Sequence, residues 1–346
     1  FNDEIKFWEP EKEEIGHEKK AKRKEVPDFS EINGQQFVKR ACEIAVSGRH
    51  NLLMIGPPGA GKTMIARRIP GILPEMTEEE TLEVTKIYSV RGLLTESEAW
   101  MAERPFRNPH HTITPQGLAG GGMVPGPGEI SLAHHGVLFL DELAEFRRET
   151  LEILRQPMEE HCVKLARLAG NYEFPSDFML VAAMNPCRCG YYPDLNRCHC
   201  TKGMVEQYLK KISQPLLDRI DICVETKRVE YQDLIKENPH QETSAEIRKR
   251  VVAAMERQQQ RFAGTNIRYN SRIPAALLTK YCRLSTKQKQ YMESIYQKLE
   301  LTARSYHRIL RVARTIADMD GSDEILTRHL SEAVCYRNVD KKFWEG

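Results

Sequence analysis

The sequence lacks long apolar runs, a strong net charge and internal repeats. None of its apolar runs approaches the roughly eighteen residues that a membrane-spanning helix needs. Its 51 basic and 49 acidic residues leave a formal net charge of only +2, which neither requires nor excludes a nucleic-acid partner. We therefore expect a soluble, cytoplasmic protein without membrane contact, whose function has to be identified from local motifs.

The organisation of the chain follows from its length and charge pattern. Its 346 residues suffice for two or three domains. Residue 1 is Phe rather than Met, so we expect a fragment of a longer protein. Residues 1–27 alternate Glu and Lys, which predicts a charged, solvated linker. Helical patterns dominate from about residue 229, which divides the remainder into residues 28–228 and 229–346.

A glycine-rich stretch at residues 56–63 is the most informative motif. It follows the apolar run Leu52–Ile55 and precedes a helical pattern at residues 64–69. In such a turn, backbone N–H groups surround phosphates, a lysine reaches the β- and γ-phosphates, and a hydroxyl binds Mg²⁺. The pattern predicts a P-loop for ATP and Mg²⁺, formed by Gly56, Pro57, Pro58, Gly59, Ala60, Gly61, Lys62 and Thr63.

Two later apolar runs end in polar residues that suit the same site. Val137–Leu140 precedes Asp141 and Glu142, and a run at residues 178–184 precedes Asn185. Ligands of open α/β sheets bind at the carboxyl ends of the strands, so we expect these side chains beside the P-loop. Asp141 would complete the Mg²⁺ shell, Glu142 would polarise the attacking water, and Asn185 would orient it.

Two segments between these motifs have their own patterns. Residues 104–128 are so rich in Pro and Gly that we predict a long loop without regular elements. Residues 161–174 alternate around a Gly-Asn turn and predict a β-hairpin, whose basic side carries Lys164 and Arg167.

Four of the nine cysteines lie close together in the sequence. Two pairs of soft ligands suit a tetrahedral Zn²⁺ ion, held by Cys187, Cys189, Cys198 and Cys200, with His199 as an alternative ligand. The Cys-x-Cys spacing is tighter than the usual Cys-x-x-Cys, so a reduced, metal-free loop stays open as the other interpretation. Nine cysteines beside a nucleotide site indicate a reducing compartment.

The pattern of the C-terminal portion predicts a helical domain. Helices are predicted over residues 243–262, 285–299, 302–319 and 323–336, with Ser285, Thr302 and Asp323 as N-caps. The third helix carries an arginine run, which in most proteins is a solvated face: Arg304, Arg308, Arg311 and Arg314.

The order of these motifs resembles that of AAA+ ATPases, and longer strings narrow the resemblance to the magnesium chelatase-like YifB/ComM family. The strings are RPFRNPHHT at residues 104–112, GEISLAHHGVLFLDE at 128–142, AMNPCRCG at 183–190 and LTARSYHRILRVARTIAD at 301–318. The resemblance covers residues 28–337. It implies an α/β fold, with an AAA+ P-loop core of parallel sheet flanked by helices and a C-terminal helical lid domain. Family members carry a Lon-protease-like domain before the ATPase, so residues 1–27 would be the connecting linker.

The resemblance also implies roles for individual residues. Lys62 and Thr63 become Walker A ligands, Asp141 and Glu142 the Walker B pair, and Asn185 sensor 1. Arg219 resembles the arginine finger that reaches the γ-phosphate of a neighbouring subunit. Arg304 is the choice for sensor 2, with Arg311 as the alternative.

Two insertions complete the resemblance. Residues 104–128 resemble the helix-2 insertion, and residues 161–174 resemble the pre-sensor-1 insertion. Both would face the central channel of a ring, where Lys164 and Arg167 would contact DNA phosphates.

The implied function is an ATP-driven DNA motor. ComM proteins are regarded as hexameric helicases that promote branch migration during natural transformation, so single-stranded or branched DNA would be the partner. The alternative is an ATPase like magnesium chelatase or MoxR, which remodels a protein partner without nucleic acid. A third hypothesis is an ATP-binding switch that hydrolyses little ATP. It is disfavoured because it predicts a damaged Walker B motif or arginine finger, whereas Glu142 and Arg219 are both present.

Overall fold

The computed structural model describes residues 26–94, 100–123, 125–167, 170–228 and 241–344. Almost all of the predicted linker at residues 1–27, and the predicted start of the lid domain at residues 229–240, lie outside these ranges. Within them, none of the helices combines the length and the apolar character that crossing a membrane would require.

The strands of the structure form one central sheet and two small pairs. In chain order they are β1 (Leu52–Ile55), β2 (Phe106–Arg107), β3 (Gly120–Gly121), β4 (Gly126–Pro127), β5 (Val137–Leu140), β6 (Cys162–Arg167), β7 (Gly170–Pro175), β8 (Met179–Met184) and β9 (Ile222–Glu225). The central sheet is parallel and has the order β2-β5-β8-β1-β9. β3 pairs with β4, and β6 pairs antiparallel with β7 to form the predicted hairpin.

The sheet is buried on both faces because its inner strands are apolar at every position. In β1, Leu52 and Met54 pack into one apolar cluster while Leu53 and Ile55 pack into another. β5 and β8 divide their residues between the same two clusters. Successive side chains of a strand point to opposite faces, so a continuous apolar run is what a sheet covered by helices on both sides requires.

The α-helices are mostly short in the sheet domain and longer after it. They are α1 (Gln36–Gly48), α2 (Lys62–Ala66), α3 (Ile69–Ile72), α4 (Glu78–Val90), α5 (Pro115–Ala119), α6 (Glu129–Leu132), α7 (Arg148–Glu152), α8 (Arg155–Glu160), α9 (Lys202–Leu209), α10 (Gln214–Leu217), α11 (Ser244–Arg261), α12 (Leu278–Tyr281), α13 (Thr286–Lys298), α14 (Ala303–Met319) and α15 (Thr327–Trp344). Single 3₁₀ turns lie at Phe29–Glu31, Leu143–Glu145, Asn270–Arg272 and Ala275–Leu277.

The helices after residue 241 form a C-terminal helical domain that packs directly on the sheet domain. α11 and α14 contact α1, and α15 contacts β9. Thr243 and Thr302 cap α11 and α14 through hydroxyl groups that accept backbone N–H groups. The two domains therefore share one apolar cluster, which extends from Phe29 to Tyr336.

Three predicted elements differ from the structure. Residues 104–128 are not a loop without regular elements: β2 forms the edge of the sheet, where Phe106 stacks on Phe139, and Thr114 caps α5 with Pro115 in its first turn. The helix predicted at residues 64–69 begins at Lys62 and ends at Ala66. The last helix begins at Thr327 rather than Asp323 and extends to Trp344, because apolar residues of its C-terminal half, among them Phe343, pack against the sheet domain.

Candidate nucleotide site

The carboxyl ends of three neighbouring strands bring the predicted ATP-site residues together. β8 lies between β1 and β5, so the residues that follow these strands meet at one edge of the sheet. Lys62 Nζ donates to Asn185 Oδ1 at 3.1 Å, and Thr63 Oγ1 donates to Asp141 Oδ2 at 2.6 Å. These four residues form one candidate nucleotide site.

The P-loop needs its glycines for two different reasons. Gly59 and Gly61 have φ of +75° and +79°, a backbone conformation that other residues rarely adopt. At Gly56 the limit is space, because a Cβ there would lie 2.3 Å from the carbonyl oxygen of Thr226. The start of the loop is therefore packed against the end of β9, whereas its tip is shaped by its own backbone.

The ammonium group of Lys62 is held by the loop itself. Besides Asn185, it donates to the carbonyl oxygens of Gly56 and Pro57 at 2.7 and 2.9 Å. Burial lowers the pKa of Lys62 to about 8, although the carboxylates of Asp141 and Glu142 act in the opposite direction. An anion bound beside Lys62 would stabilise its charged form.

Thr63 and Asp141 fit the requirements of a Mg²⁺ ion. One supplies a hydroxyl and the other a carboxylate, and oxygen is the ligand that Mg²⁺ prefers. The second carboxylate oxygen, Asp141 Oδ1, accepts the backbone N–H of Glu142 at 2.9 Å, which fixes the orientation of the carboxylate. The chemistry of this donor pair agrees with the sequence prediction.

Glu142 adopts an unusual conformation beside a residue that the sequence reasoning missed. Its φ is +52°, which is uncommon for a residue other than glycine. Its side chain is 59% exposed, and Oε2 lies 3.4 Å from Nδ1 of His111. The signal for His111 was its place in RPFRNPHHT, the string that contains β2. The carboxylate predicted to act as the base thus projects outward and has one histidine neighbour among the described residues.

Arg219 and Arg304 lie at the other end of the strands from the P-loop, where β1 begins. Asn51, which directly precedes β1, donates its side-chain amide to the carbonyl oxygen of Arg219 at 2.9 Å, whereas the P-loop follows the other end of β1. Arg304 lies 3.7 Å from Asp218 and lines a cleft of about 280 Å³ together with Arg219. These two arginines share a site with each other and not with Lys62 of the same chain.

The guanidinium group of Arg219 has hydrogen-bond partners for some of its N–H groups but not for all of them. It forms an ion pair with Glu159 and donates to the carbonyl oxygen of Pro215. Its Nε is buried and has no hydrogen-bond partner among the described residues.

The arginine run of α14 is mostly buried, so the solvated-face interpretation is wrong for it. Only Arg304 is well exposed, at 64%. Arg308 and Arg314 are buried, and Arg311 Nε donates to the carbonyl oxygen of Ile273 at 2.9 Å. Asp221 lies 3.8 Å from Arg308. Burial raises the pKa of this carboxyl group, but His50 and then Arg308 lower it by more, to about 2.

The predicted hairpin is present, but its basic side is partly neutralised. Lys164 donates to Glu160 at 2.8 Å and pairs across the ladder with Glu173. Lys164 remains exposed, at 52%. For Arg167 only the backbone is described, in register with Gly170.

The four clustered cysteines come together in space. All four Sγ atoms lie within 4.8 Å of one another, and none forms a disulfide. Burial opposes ionisation of Cys189, yet backbone N–H groups of Tyr191 and His199 lower its pKa to about 6. Burial and its thiol neighbours raise the pKa of Cys198 to about 12. His199 is exposed and outside the cluster, so it is not the alternative ligand.

Comparison with known families gives two consecutive matches. The family model described as magnesium chelatase, subunit ChlI, matches residues 28–234. The model described as magnesium chelatase, subunit ChlI C-terminal, matches residues 241–337. Their boundary coincides with the change from the sheet domain to the helical domain.

Individual relatives are similar over most of the chain. It is 44% identical to the protein YifB of Escherichia coli (strain K12) and 43% identical to the competence protein ComM of Haemophilus influenzae, in each case over 314 residues and 91% of the chain. The matched region spans 61% and 60% of those proteins. The magnesium-chelatase 67 kDa subunit of Chlorobaculum tepidum is 27% identical over 46% of the chain and 23% of its own length.

Proposed function

The chain belongs to the magnesium chelatase subunit ChlI family of AAA+ ATPases, and from this we propose that it is the motor portion of an ATP-driven, ring-forming DNA helicase. The single observation that carries the ATPase part is the meeting of Lys62 with Asn185 and of Thr63 with Asp141 at one edge of the sheet. The chain spans about three fifths of its YifB and ComM relatives, so the activity proposed here is that of the motor alone.

The site of one chain supplies most parts of a phosphoryl-transfer reaction. Gly59 and Gly61 shape a loop that phosphates can approach, and Lys62 offers the positive charge. Thr63 and Asp141 would hold Mg²⁺, which neutralises charge on the phosphate oxygens when it is bound. Glu142 polarises the attacking water, and Asn185, held by Lys62, orients it.

A neighbouring chain has to complete this site. Arg219 and Arg304 lie at the other end of β1 from the P-loop, in the same cleft. An arginine finger and a sensor-2 arginine at that edge can only act on a nucleotide held by the next chain. This head-to-tail geometry favours a closed ring, which we propose to be a hexamer.

DNA is the proposed partner of the ring. Lys164 is exposed on the hairpin, and one relative at 43% identity is named a competence protein. We propose that hydrolysis moves the hairpins along single-stranded or branched DNA and so promotes branch migration during natural transformation. The second candidate is a ring that remodels a protein partner, which the likeness to a magnesium-chelatase subunit favours.

The cofactors of this function are ATP and Mg²⁺.

A titration with DNA tests the proposal and distinguishes the two candidates. ATP turnover is measured with and without single-stranded and branched DNA at increasing salt. We expect stimulation that falls as salt rises, because phosphate contacts release counterions. No stimulation and no binding at low salt would contradict the DNA motor and favour the protein-remodelling ATPase.

Two lysines provide a matched pair for the same assay. Lys164 on the hairpin and Lys210, directly after α9, are both exposed, and both pair with a glutamate four residues earlier. Lys164→Ala should weaken DNA stimulation several-fold and lower the salt dependence, whereas Lys210→Ala should leave both unchanged. Equal behaviour of the two variants would contradict the hairpin as the DNA contact.

A further inference from the structure

We propose that Cys187, Cys189, Cys198 and Cys200 bind one Zn²⁺ ion that braces the P-loop through Gly190. The metal site stands on the geometry of the cysteines alone, and the bracing role rests on the proposed nucleotide site. Both parts can be measured without ATP hydrolysis.

The distances between the sulfur atoms match a tetrahedral zinc site. With Zn–S bonds of about 2.3 Å, the four sulfur atoms of a tetrahedron lie about 3.8 Å apart. Cys187 Sγ lies 3.4 Å from Cys189 Sγ and 3.8 Å from Cys198 Sγ, and Cys189 Sγ lies 3.5 Å from Cys198 Sγ. A disulfide would need about 2.05 Å, so none of these pairs is bonded, and the spacing is that of ligands around a shared ion.

The loop around the cysteines is built to present sulfur inward. Gly190 follows Cys189 with φ of +87°, and the reversal allows the backbone N–H of Tyr192 to reach Cys187 Sγ at 3.4 Å. Cys187 and Cys198 are buried among apolar residues of the sheet domain. Backbone N–H groups directed at sulfur stabilise thiolates, which are the form that binds zinc.

A second cluster of possible metal ligands, Glu83, His134 and His135, differs from the cysteine cluster in its hydrogen bonds. Nε2 of both His134 and His135 lies within 3.0 Å of Glu83 Oε2, but Nδ1 of His134 accepts the backbone N–H of Asp177 at 2.9 Å. With Nδ1 occupied as an acceptor, Nε2 carries the proton and donates to Glu83. That group is a completed hydrogen-bond network, whereas the cysteine cluster leaves four sulfur atoms facing one another.

The cysteine loop touches the ATP site at two places. Cys187 follows Asn185 by two residues, so an ion on Cys187 anchors the end of β8 directly behind that side chain. Gly190 packs on the P-loop so closely that a Cβ would lie 2.5 Å from Pro58 Cδ. Pro58 itself is exposed. A zinc ion that holds Gly190 in place therefore limits how far the P-loop can open.

Metal analysis tests the site itself. Protein purified without chelators is expected to contain about one zinc per chain. Cys198→Ser should lose most of the metal, and Cys335→Ser, at an exposed cysteine outside the cluster, should keep it. Wild-type protein that takes up no zinc even when zinc is added would overturn the proposal.

Two measurements on nucleotide binding test the brace. Gly190→Ala should weaken binding of a fluorescent, non-hydrolysable ATP analogue by about tenfold or more, with its zinc content measured on the same protein, while Gly203→Ala, in open space on α9, should leave both unchanged. In case Gly190→Ala does not fold, zinc is also released from wild-type protein with a mercurial reagent, and nucleotide affinity should fall in step with zinc loss.

The outcomes separate the two proposals. Unchanged nucleotide affinity in Gly190→Ala and after zinc release would overturn the brace. Wild-type protein that contains zinc but binds no nucleotide would overturn the proposed function and support the metal site, because zinc content is read without nucleotide.

Discussion

At the scale of single residues, Gly56 shows that one motif can impose two kinds of constraint. Gly59 and Gly61 permit the backbone conformation of the loop, with φ near +75° at both. Gly56 has an ordinary backbone conformation and is instead limited by the main chain of Thr226, more than a hundred and fifty residues later. Backbone atoms of a packed strand cannot rotate away as a side chain can, so a Cβ at this position would have to displace the main chain.

We predict that Gly56→Ala destabilises the protein by about 1–3 kcal/mol through overpacking. The free energy of unfolding is measured by urea denaturation. Gly203→Ala is the control, because its Cβ would meet nothing within 4 Å and alanine favours a helix by about 1 kcal/mol over glycine. A Gly56→Ala protein as stable as wild type would show that β9 shifts freely away from the loop.

At the scale of elements, a histidine pair joins three segments that are distant in the sequence. His134 and His135 lie between α6 and β5, Glu83 lies on α4, and Asp177 lies between β7 and β8. His134 accepts from the backbone of Asp177 and donates to Glu83, so it connects α4 with the start of β8. These two histidines therefore stabilise the sheet rather than carrying chemistry.

This arrangement predicts a loss of stability in mild acid. Burial, and then the neighbouring His135, lower the pKa of His134 to about 4 from its usual 6.5. The unfolded chain therefore takes up a proton first, and stability falls as pH drops from about 6.5 towards 4. We expect about 2 kcal/mol less stability at pH 5 than at pH 7 from this residue. His161 acts in the same direction, because burial lowers its pKa to about 4.

Urea denaturation at the two pH values measures the effect. His134→Asn keeps an acceptor for Asp177 but cannot titrate, so it should reduce the pH dependence. His110→Asn, at an exposed histidine, is the control and should leave it unchanged. The same difference between pH 7 and pH 5 in all three proteins would contradict a role for His134.

At the scale of the whole molecule, the sheet separates two halves of the proposed active site. The P-loop, Asp141 and Asn185 lie at one edge, and Arg219 and Arg304 lie at the other, in a cleft that also contains Arg308 and Arg311. Each chain thus offers the candidate nucleotide site on one side and a cationic cleft on the other. The proposed ring brings the cleft of one chain to the pocket of the next.

A mixing experiment tests this head-to-tail arrangement. Glu142→Gln and Arg219→Ala should each bind ATP but lose turnover, because one removes the base and the other an arginine finger, worth about 10³–10⁵ in related reactions. Mixed in equal amounts, about a quarter of the interfaces would combine an intact Glu142 with an intact Arg219 of the neighbour. We expect turnover to reappear in the mixture.

A control variant and a measurement of subunit exchange complete this experiment. Arg257→Ala, at a half-exposed arginine of the helical domain, should keep full turnover. If subunit exchange is demonstrated with labelled chains and turnover does not return, Arg219 does not act on a neighbouring chain.

The sequence by itself determined the fold and the composition of the proposed nucleotide edge, because each part follows its own apolar strand and parallel strands direct their carboxyl ends to one edge. It also predicted the hairpin and the grouping of the cysteines. Only the tertiary structure decided what packs across long separations: His111 beside Glu142, Thr226 against Gly56, Gly190 on Pro58, and the arginines of α14 mostly inside the protein. Such contacts depend on which faces of distant elements meet, and no local pattern records that.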